Sequence, residues 1–166
     1  MEFVAQEIDK FRADPAVKRV LTMLDWGERR IDLGVPFEPN LNSGKLEPPR
    51  ITYRLIAEAL RTHHGNLRAF SPLEAAIRDH FDLFLDYLSH FEHFIQAHLV
   101  KPNEIHPYLE YWTNALAGND ELDPWLLKQF WLFVDAYNYS KVRCLVCRFY
   151  PEVTSRFPTI AGPSGK

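Results

Sequence analysis

The sequence predicts an all-α protein, a single-domain bundle of five to seven helices over residues 1–158. Apolar residues recur at spacings of three and four through most of the 166 residues, which is the period of a helix with one buried face. Asp14-Pro15, Ser71-Pro72 and Asp123-Pro124 each join a capping residue to a proline that fits the first helical position. No segment keeps the alternation of a strand. Hydrophobic residues make up 46% of the chain, which is enough to bury a core without disulfides.

Two helices are predicted before residue 34. Val4, Ile8 and Phe11 share one helical face and predict a short amphipathic helix that ends before Asp14. Asp14 then caps a second helix, which Gly27 ends. The apolar stripe of this second helix is Val17, Val20, Leu21 and Leu24.

Residues 34–49 are predicted to be a long Pro-rich loop. The helical period stops there, and four prolines lie among Asn, Ser and Gly residues. Loops of this length are unusual in compact domains, so we expect the segment to lie over the surface. Helix resumes around Ile51 and carries Leu55, Ile56, Ala59 and Leu60.

A long central helix is predicted near residues 71–99. Ser71 and Glu74 have the spacing of a capping box, in which each side chain accepts from the backbone N–H of the other residue. Apolar residues occupy most of the helix circumference, which indicates packing against several neighbours. The main buried seam is Ile77, Phe81, Phe84, Leu88, Phe91 and Ile95. The polar side carries the aspartate stripe, which we define as Asp79, Asp82 and Asp86.

Three shorter helices are predicted in the last third of the chain. After a short turn that follows residue 101, the first starts at His106-Pro107. The second starts at Asp123-Pro124, and a break near residues 138–140 separates it from the third, which ends at Pro151. Their buried positions include Leu109, Trp112 and Leu116, then Leu127, Phe130 and Val134, then Val142, Leu145 and Phe149. The aromatic residues Tyr111, Trp112, Trp125 and Trp131 are predicted to belong to the core. Residues 159–166 are predicted to be a disordered tail.

Asp86, His90 and His93 are the candidate metal ligands of the sequence. Their spacing of four and three places them roughly on one side of the central helix. Two imidazoles and a carboxylate are the ligand types of many zinc and non-haem iron sites. The paired Glu-x-x-His motifs of di-iron bundles are absent from the sequence. The alternative is that Asp86 and His90 form an ordinary i,i+4 pair on a helix surface.

No catalytic residue and no cofactor-binding residue is assigned from the sequence. Cys144 and Cys147, its only two cysteines, have the CxxC spacing of redox pairs. Reactive pairs of this kind usually begin a helix beside small or polar residues, whereas Leu145 and Val146 separate these two. The interpretation we favour is therefore a pair of buried thiols in a helix.

Charge and hydropathy exclude some partners and predict others. The formal net charge is −3 and no polybasic run occurs, which argues against nucleic-acid binding. No apolar stretch of about eighteen residues could span a membrane, and the chain is predicted to be cytoplasmic. Residues 79–123 hold nine acidic side chains and one lysine, while residues 45–68 and 124–157 each hold five basic and two acidic ones. We expect Arg54 or Arg61 to pair with the aspartate stripe, because consecutive helices usually pack as neighbours.

Two runs of residues resemble a known family. The run from Asp14 to Leu33 is DPAVKRVLTMLDWGERRIDL, and the run from Phe70 to Trp112 includes IRDHFDLFLDYLSHFEHFIQAHLV and HPYLEYW. Together they resemble an uncharacterised family of small all-helical bacterial proteins, a domain of unknown function. The resemblance implies a helical bundle and no activity. Members of that family often carry an N-terminal membrane anchor, and no such anchor is expected in this chain.

The sequence predicts a non-enzymatic interaction or scaffolding domain that forms a homo-oligomer or binds another protein. This hypothesis depends on the missing catalytic constellation and on the aromatic, charge-segregated faces. The alternative is a metal-dependent helical-bundle enzyme that uses Asp86, His90 and His93. Metal analysis of the purified protein would separate the two hypotheses.

Overall fold

A computed structural model describes residues 2–62 and 68–159. Helices account for most of these residues, and the strands among them form two short antiparallel pairs. The helices are α1 (Glu2–Ala13), α2 (Pro15–Asp25), α3 (Tyr53–Ala59), α4 (Pro72–Gln96), α5 (Pro102–Leu116), α6 (Pro124–Ala136), α7 (Ser140–Phe149) and α8 (Val153–Arg156). The all-α prediction is confirmed, and the described residues contain one short helix, α8, beyond the predicted number.

The central helix α4 begins and packs as the sequence predicts. The Glu74 N–H donates to Ser71 Oγ (3.2 Å) and the Ser71 N–H donates to Glu74 Oε2 (2.7 Å), which completes the capping box. All six residues of the predicted seam are buried, with Phe81 and Phe84 fully enclosed. Helices α2, α3 and α7 contact α4, so its apolar circumference is covered by neighbours from both halves of the chain.

The two Asp-Pro pairs start helices as predicted. Asp14 Oδ1 accepts from the Ala16 N–H (2.8 Å) at the start of α2, and Asp123 Oδ1 accepts from the Leu126 N–H (2.9 Å) at the start of α6. Each aspartate satisfies a backbone donor that the first helical turn leaves unpaired, and each proline occupies a position that needs no N–H.

A hairpin arm occupies residues 28–52, between α2 and α3. Its strands are β1 (Glu28–Arg30), β2 (Glu38–Pro39), β3 (Leu46–Glu47) and β4 (Arg50–Thr52). Strand β1 pairs antiparallel with β4 at the root of the arm, and β2 pairs antiparallel with β3 nearer its tip. Strands of two or three residues are too short to show a period of two, and this is why the sequence predicts an irregular loop there.

The hairpin arm corrects two predictions. Residues 34–49 contain β2 and β3, and Ile51 lies in β4 rather than in a helix. Helix α3 starts only at Tyr53, because Thr52 is extended and its Oγ1 accepts from the Leu55 N–H (3.1 Å). The outer part of the arm exposes three apolar side chains: Phe37, Leu41 and Leu46.

The last third of the chain differs from the prediction at one helix start. Helix α5 begins at Pro102, where Glu104 Oε2 accepts from the Lys101 N–H (2.7 Å), so Pro107 lies inside the helix and removes one backbone hydrogen bond. The predicted break before α7 is present at Asn138, which has a φ of 60°. Residues 160–166 of the predicted tail lie outside the described residues. None of the described helices is both long and apolar enough to cross a bilayer.

Candidate functional site

The three predicted metal ligands are exposed side chains of α4. The His90 ring centroid lies 6.5 Å from that of Phe94, and Lys141 Nζ lies 3.2 Å from His93 Nδ1. Within residues 2–62 and 68–159, no group of three or more His, Cys, Asp and Glu side chains is arranged to hold a metal ion. Asp86, His90 and His93 therefore share a helix, and the described part of the chain adds no further ligand to them.

The aspartate stripe meets a different partner from the one predicted. Arg61 Nη1 donates to Glu74 Oε1 (2.9 Å), and Arg54 pairs within its own helix, so neither arginine pairs with the stripe in the described structure. Asp82 Oδ1 instead accepts from the Tyr139 hydroxyl (2.9 Å). The predicted pairing is wrong because Glu74, in the first turn of α4, is the acidic residue that follows α3 most closely.

Cys144 and Cys147 are not the buried thiols that the sequence favours. Cys144 is exposed, Cys147 is half-buried, and both are free. The reason is the rotation of α7, whose residues 142, 145 and 146 face the core, so residue 144 points away from it and residue 147 lies at its edge. Both cysteines line one depression of about 350 Å³, which we call the thiol groove and which also contains Val134, Asp135, Asn138 and Arg143.

A second depression, at the root of the hairpin arm, has the chemistry of a binding site, and we call it the acidic cleft. It encloses about 380 Å³. Its walls include three aromatic rings and three carboxylates: Tyr53, Tyr111, Trp112, Asp25, Asp120 and Glu121. The end of α2, the start of α3, the last turns of α5 and the loop before α6 supply these residues. Because the elements are far apart in sequence, no motif groups them.

Two tyrosines connect the walls of the acidic cleft. The Tyr53 hydroxyl donates to the carbonyl of Leu24 (2.9 Å), and the Tyr111 hydroxyl donates to Asp25 Oδ1 (2.5 Å). The hydrogen bond to Asp25, and after it burial, raises the pKa of Tyr111 to about 12. The Trp112 ring meets the Tyr111 ring edge-on, with 4.6 Å between the centroids.

The carboxylates of the acidic cleft have no positively charged partner within residues 2–62 and 68–159. None of the described residues that line it is basic. In the part of the chain that the structure describes, Asp25, Asp120 and Glu121 are in no ion pair, whereas the buried Glu74 and Glu92 each pair with arginine. The cleft therefore concentrates negative charge that no ion pair among the described residues neutralises.

Two further observations agree with a negative potential inside the acidic cleft. Burial raises the pKa of the Tyr53 phenol above its ordinary value, and the negative charges of Asp25 and Asp123 raise it further. The last turns of α2 and α5 also line the cleft, and each contributes the partial negative charge of a helix C-terminus. The N-terminus of α3 opposes this effect only weakly, because Thr52 already caps it.

This arrangement suits a cation. The faces of aromatic rings attract ammonium and guanidinium groups, and the carboxylates neutralise them. No serine, cysteine or histidine is among the described residues that line the cleft. Sequence reasoning missed the site because it assigned Tyr111 to the core, whereas the side chain is 53% exposed. The acidic excess of residues 79–123 is the one signal in the sequence that pointed towards it.

No protein-family model, curated protein or solved structure matches the chain. The resemblance to a family of small helical bacterial proteins and the cytoplasmic location therefore stay predictions. The geometry of the acidic cleft and of the thiol groove is what bears on function.

Proposed function

We propose that the protein is a non-enzymatic interaction domain whose acidic cleft binds lysine or arginine side chains from a basic segment of a partner protein. The observation that carries the proposal is the meeting of three aromatic residues with three carboxylates that have no ion-pair partner among the described residues. Rings and carboxylates attract the same kind of ligand, since both favour positive charge.

The size of these contacts favours a segment with several basic residues over a single free amino acid. A cation over an exposed ring gains about 0.5–1 kcal/mol, and an exposed ion pair gains about 0.2–1 kcal/mol. One side chain that meets two rings and two carboxylates therefore gains roughly 1.4–4 kcal/mol. Micromolar affinity needs about 8 kcal/mol of binding free energy, so contacts outside the cleft must add to the contribution of this one side chain.

The surroundings of the acidic cleft offer such contacts. Gly27 and Tyr53 line the cleft and directly flank β1 and β4, so the hairpin arm extends from the same edge. Trp26, beside this root, is 51% exposed, and the outer arm exposes Leu41 completely. A partner segment that places a basic residue in the cleft can continue along these apolar side chains, whose burial stabilises a complex.

A fluorescein-labelled peptide of six lysines tests the proposal by fluorescence anisotropy with the full chain. We expect saturable binding, and weaker binding to the variant Asp120→Asn/Glu121→Gln by about 2- to 30-fold, because two exposed ion pairs are lost. The matched control is Asp79→Asn/Asp86→Asn, which removes the same charge from two exposed positions of α4. This control should change the affinity less than about twofold, because dissolved salt screens the attraction between the peptide and charges that lie far from the cleft.

Equal weakening by both double variants would show non-specific attraction to negative charge and would overturn the proposal. A ring test is independent of net charge: Tyr111→Phe keeps the ring, and Tyr111→Ala removes it, so only the second should lose the cation–π contribution.

Homo-oligomer formation, which the sequence also predicts, is measured by sedimentation of the unliganded protein. The metal-dependent enzyme alternative stays a prediction that metal analysis tests.

A further inference from the structure

The thiol groove brings the two cysteines of the chain to one accessible face of α7. Cys144 is exposed, Cys147 is half-buried, and both line the same depression. In a regular helix, residues three apart have Cα atoms about 5 Å apart and Cβ atoms roughly 5–6 Å apart. The two sulfur atoms can therefore approach one point in the groove from neighbouring turns.

The helical spacing suits a bridging atom better than a direct disulfide. A disulfide needs Cβ atoms about 3.5–4.5 Å apart, which is shorter than the roughly 5–6 Å of the helix. A bridging metal ion inserts two metal–sulfur bonds of about 2.3 Å each. Such an ion spans the two side chains without unwinding the last turns of α7.

We infer that Cys144 and Cys147 form a two-coordinate site for a soft, thiophilic metal ion, and that Cu(I) is the ion this ligand pair fits. Soft thiolates select Cu(I) among available metals, and Cu(I) is stable with two ligands. Zinc takes three or four protein ligands, whereas no group of three or more candidate ligands is arranged for a metal among the described residues. Asp135, the carboxylate of the groove, is already held by Arg143 through Nε (2.9 Å) and Nη2 (2.8 Å).

Neighbouring side chains support the charged form of the site. Two thiols that bind Cu(I) release two protons, and the resulting dithiolate complex has a charge of −1. Arg148, which follows Cys147 on α7, is already paired with Glu92, but it lies near enough to Cys144 for the two groups to interact electrostatically, so its positive charge partly offsets that of the complex. The Thr154 hydroxyl donates to Cys147 Sγ (3.6 Å), which orients this sulfur.

Competition with a chromogenic Cu(I) chelator tests the site in the reduced full chain under anaerobic conditions. We expect one Cu(I) per chain and an affinity that rises with pH, because binding releases protons. Loss of a group that only orients a metal ligand weakens metal binding by roughly 10- to 100-fold. Cys144→Ser and Cys147→Ser each remove a ligand itself, so each should weaken Cu(I) binding by more than that. Ser140→Ala, also in the groove on α7, is the matched control and should leave the affinity unchanged.

Two results would overturn the inference. One is that either single serine variant binds Cu(I) as tightly as the wild type, since a two-thiolate site cannot survive the loss of one sulfur. The other is a wild-type affinity no higher than that of the Cys144→Ser/Cys147→Ser variant. Thermal melting of each variant tests whether it is folded, and Cys144→Ser is decisive by itself because residue 144 is exposed.

Discussion

The buried ion pair between α4 and α7 is tested by removing its cation. Glu92 is fully buried and accepts from Arg148 Nη2 (2.5 Å) and Nε (3.1 Å), and Gln96 Nε2 donates to the same carboxylate (3.0 Å). Arg148→Met keeps most of the aliphatic length of the arginine side chain and leaves Glu92 with the neutral Gln96 donor. We expect the free energy of unfolding to fall, because a buried carboxylate without a cation is poorly solvated.

The size of the expected loss in the free energy of unfolding follows from how far water reaches the Glu92–Arg148 pair. Removing one partner of a buried ion pair costs about 3–5 kcal/mol. The Arg148 side chain is 35% exposed, so water reaches one side of the pair, and we expect a loss near the lower end, about 3 kcal/mol. In a domain of this length 1 kcal/mol shifts Tm by about 2–4 °C, so Arg148→Met should melt roughly 6–12 °C below the wild type.

Urea unfolding followed by far-UV circular dichroism measures these differences. The double variant Glu92→Leu/Arg148→Met removes both charges and should recover at least half of the loss, since apolar replacement of a whole buried pair is often close to neutral. The matched control is Arg54→Met, which removes the arginine of an exposed i,i+4 pair and should change stability by less than about 0.5 kcal/mol. The reasoning is refuted if Arg148→Met is as harmless as Arg54→Met, or if the double variant is less stable than Arg148→Met.

Two further outcomes are expected. Burial raises the pKa of Asp82 above its ordinary value of 3.8, so the native state holds this proton more tightly than the unfolded chain does. Stability therefore falls as the pH rises from that value through the raised pKa of the native state. Asp82→Asn keeps an acceptor for Tyr139 and should melt above the wild type at neutral pH. This gain in Tm should vanish below about pH 3, and a gain independent of pH would contradict the raised pKa of Asp82. Elemental analysis of the purified protein should find no stoichiometric zinc or iron, and His90→Ala and His93→Ala should leave the metal content unchanged. Stoichiometric metal that is lost in either variant would instead favour the enzyme alternative.

Helix starts are the part of the fold that the sequence predicts best. Asp14, Ser71 and Asp123 each satisfy a backbone donor within three residues, so their chemistry is complete inside a short window. The seam of α4 is predictable for a similar reason, since the helical period alone places its residues on one face. The hairpin arm escapes prediction because the partners of β1 and β2 lie on other segments, and pairing between segments leaves no local pattern.

The candidate sites show the same division between local and distant information. Asp86, His90 and His93 are close along one helix, yet a zinc or iron site usually takes three or four ligands that converge from several elements, and spacing along one helix cannot supply that convergence. The acidic cleft has the opposite character, because it joins Asp25 to Glu121 across nearly a hundred residues.

Local chemistry within the sequence therefore determined where α2, α4 and α6 start and which face of α4 is buried. The tertiary structure decided which exposed side chains meet. It turned Cys144 outward and left Cys147 half-buried, paired Arg61 with Glu74, and placed Tyr53 and Tyr111 beside carboxylates that have no ion-pair partner among the described residues. The physical reason is range: capping and periodicity act within one or two turns of a helix, whereas a cleft depends on how whole elements pack, and packing is set by the complete core.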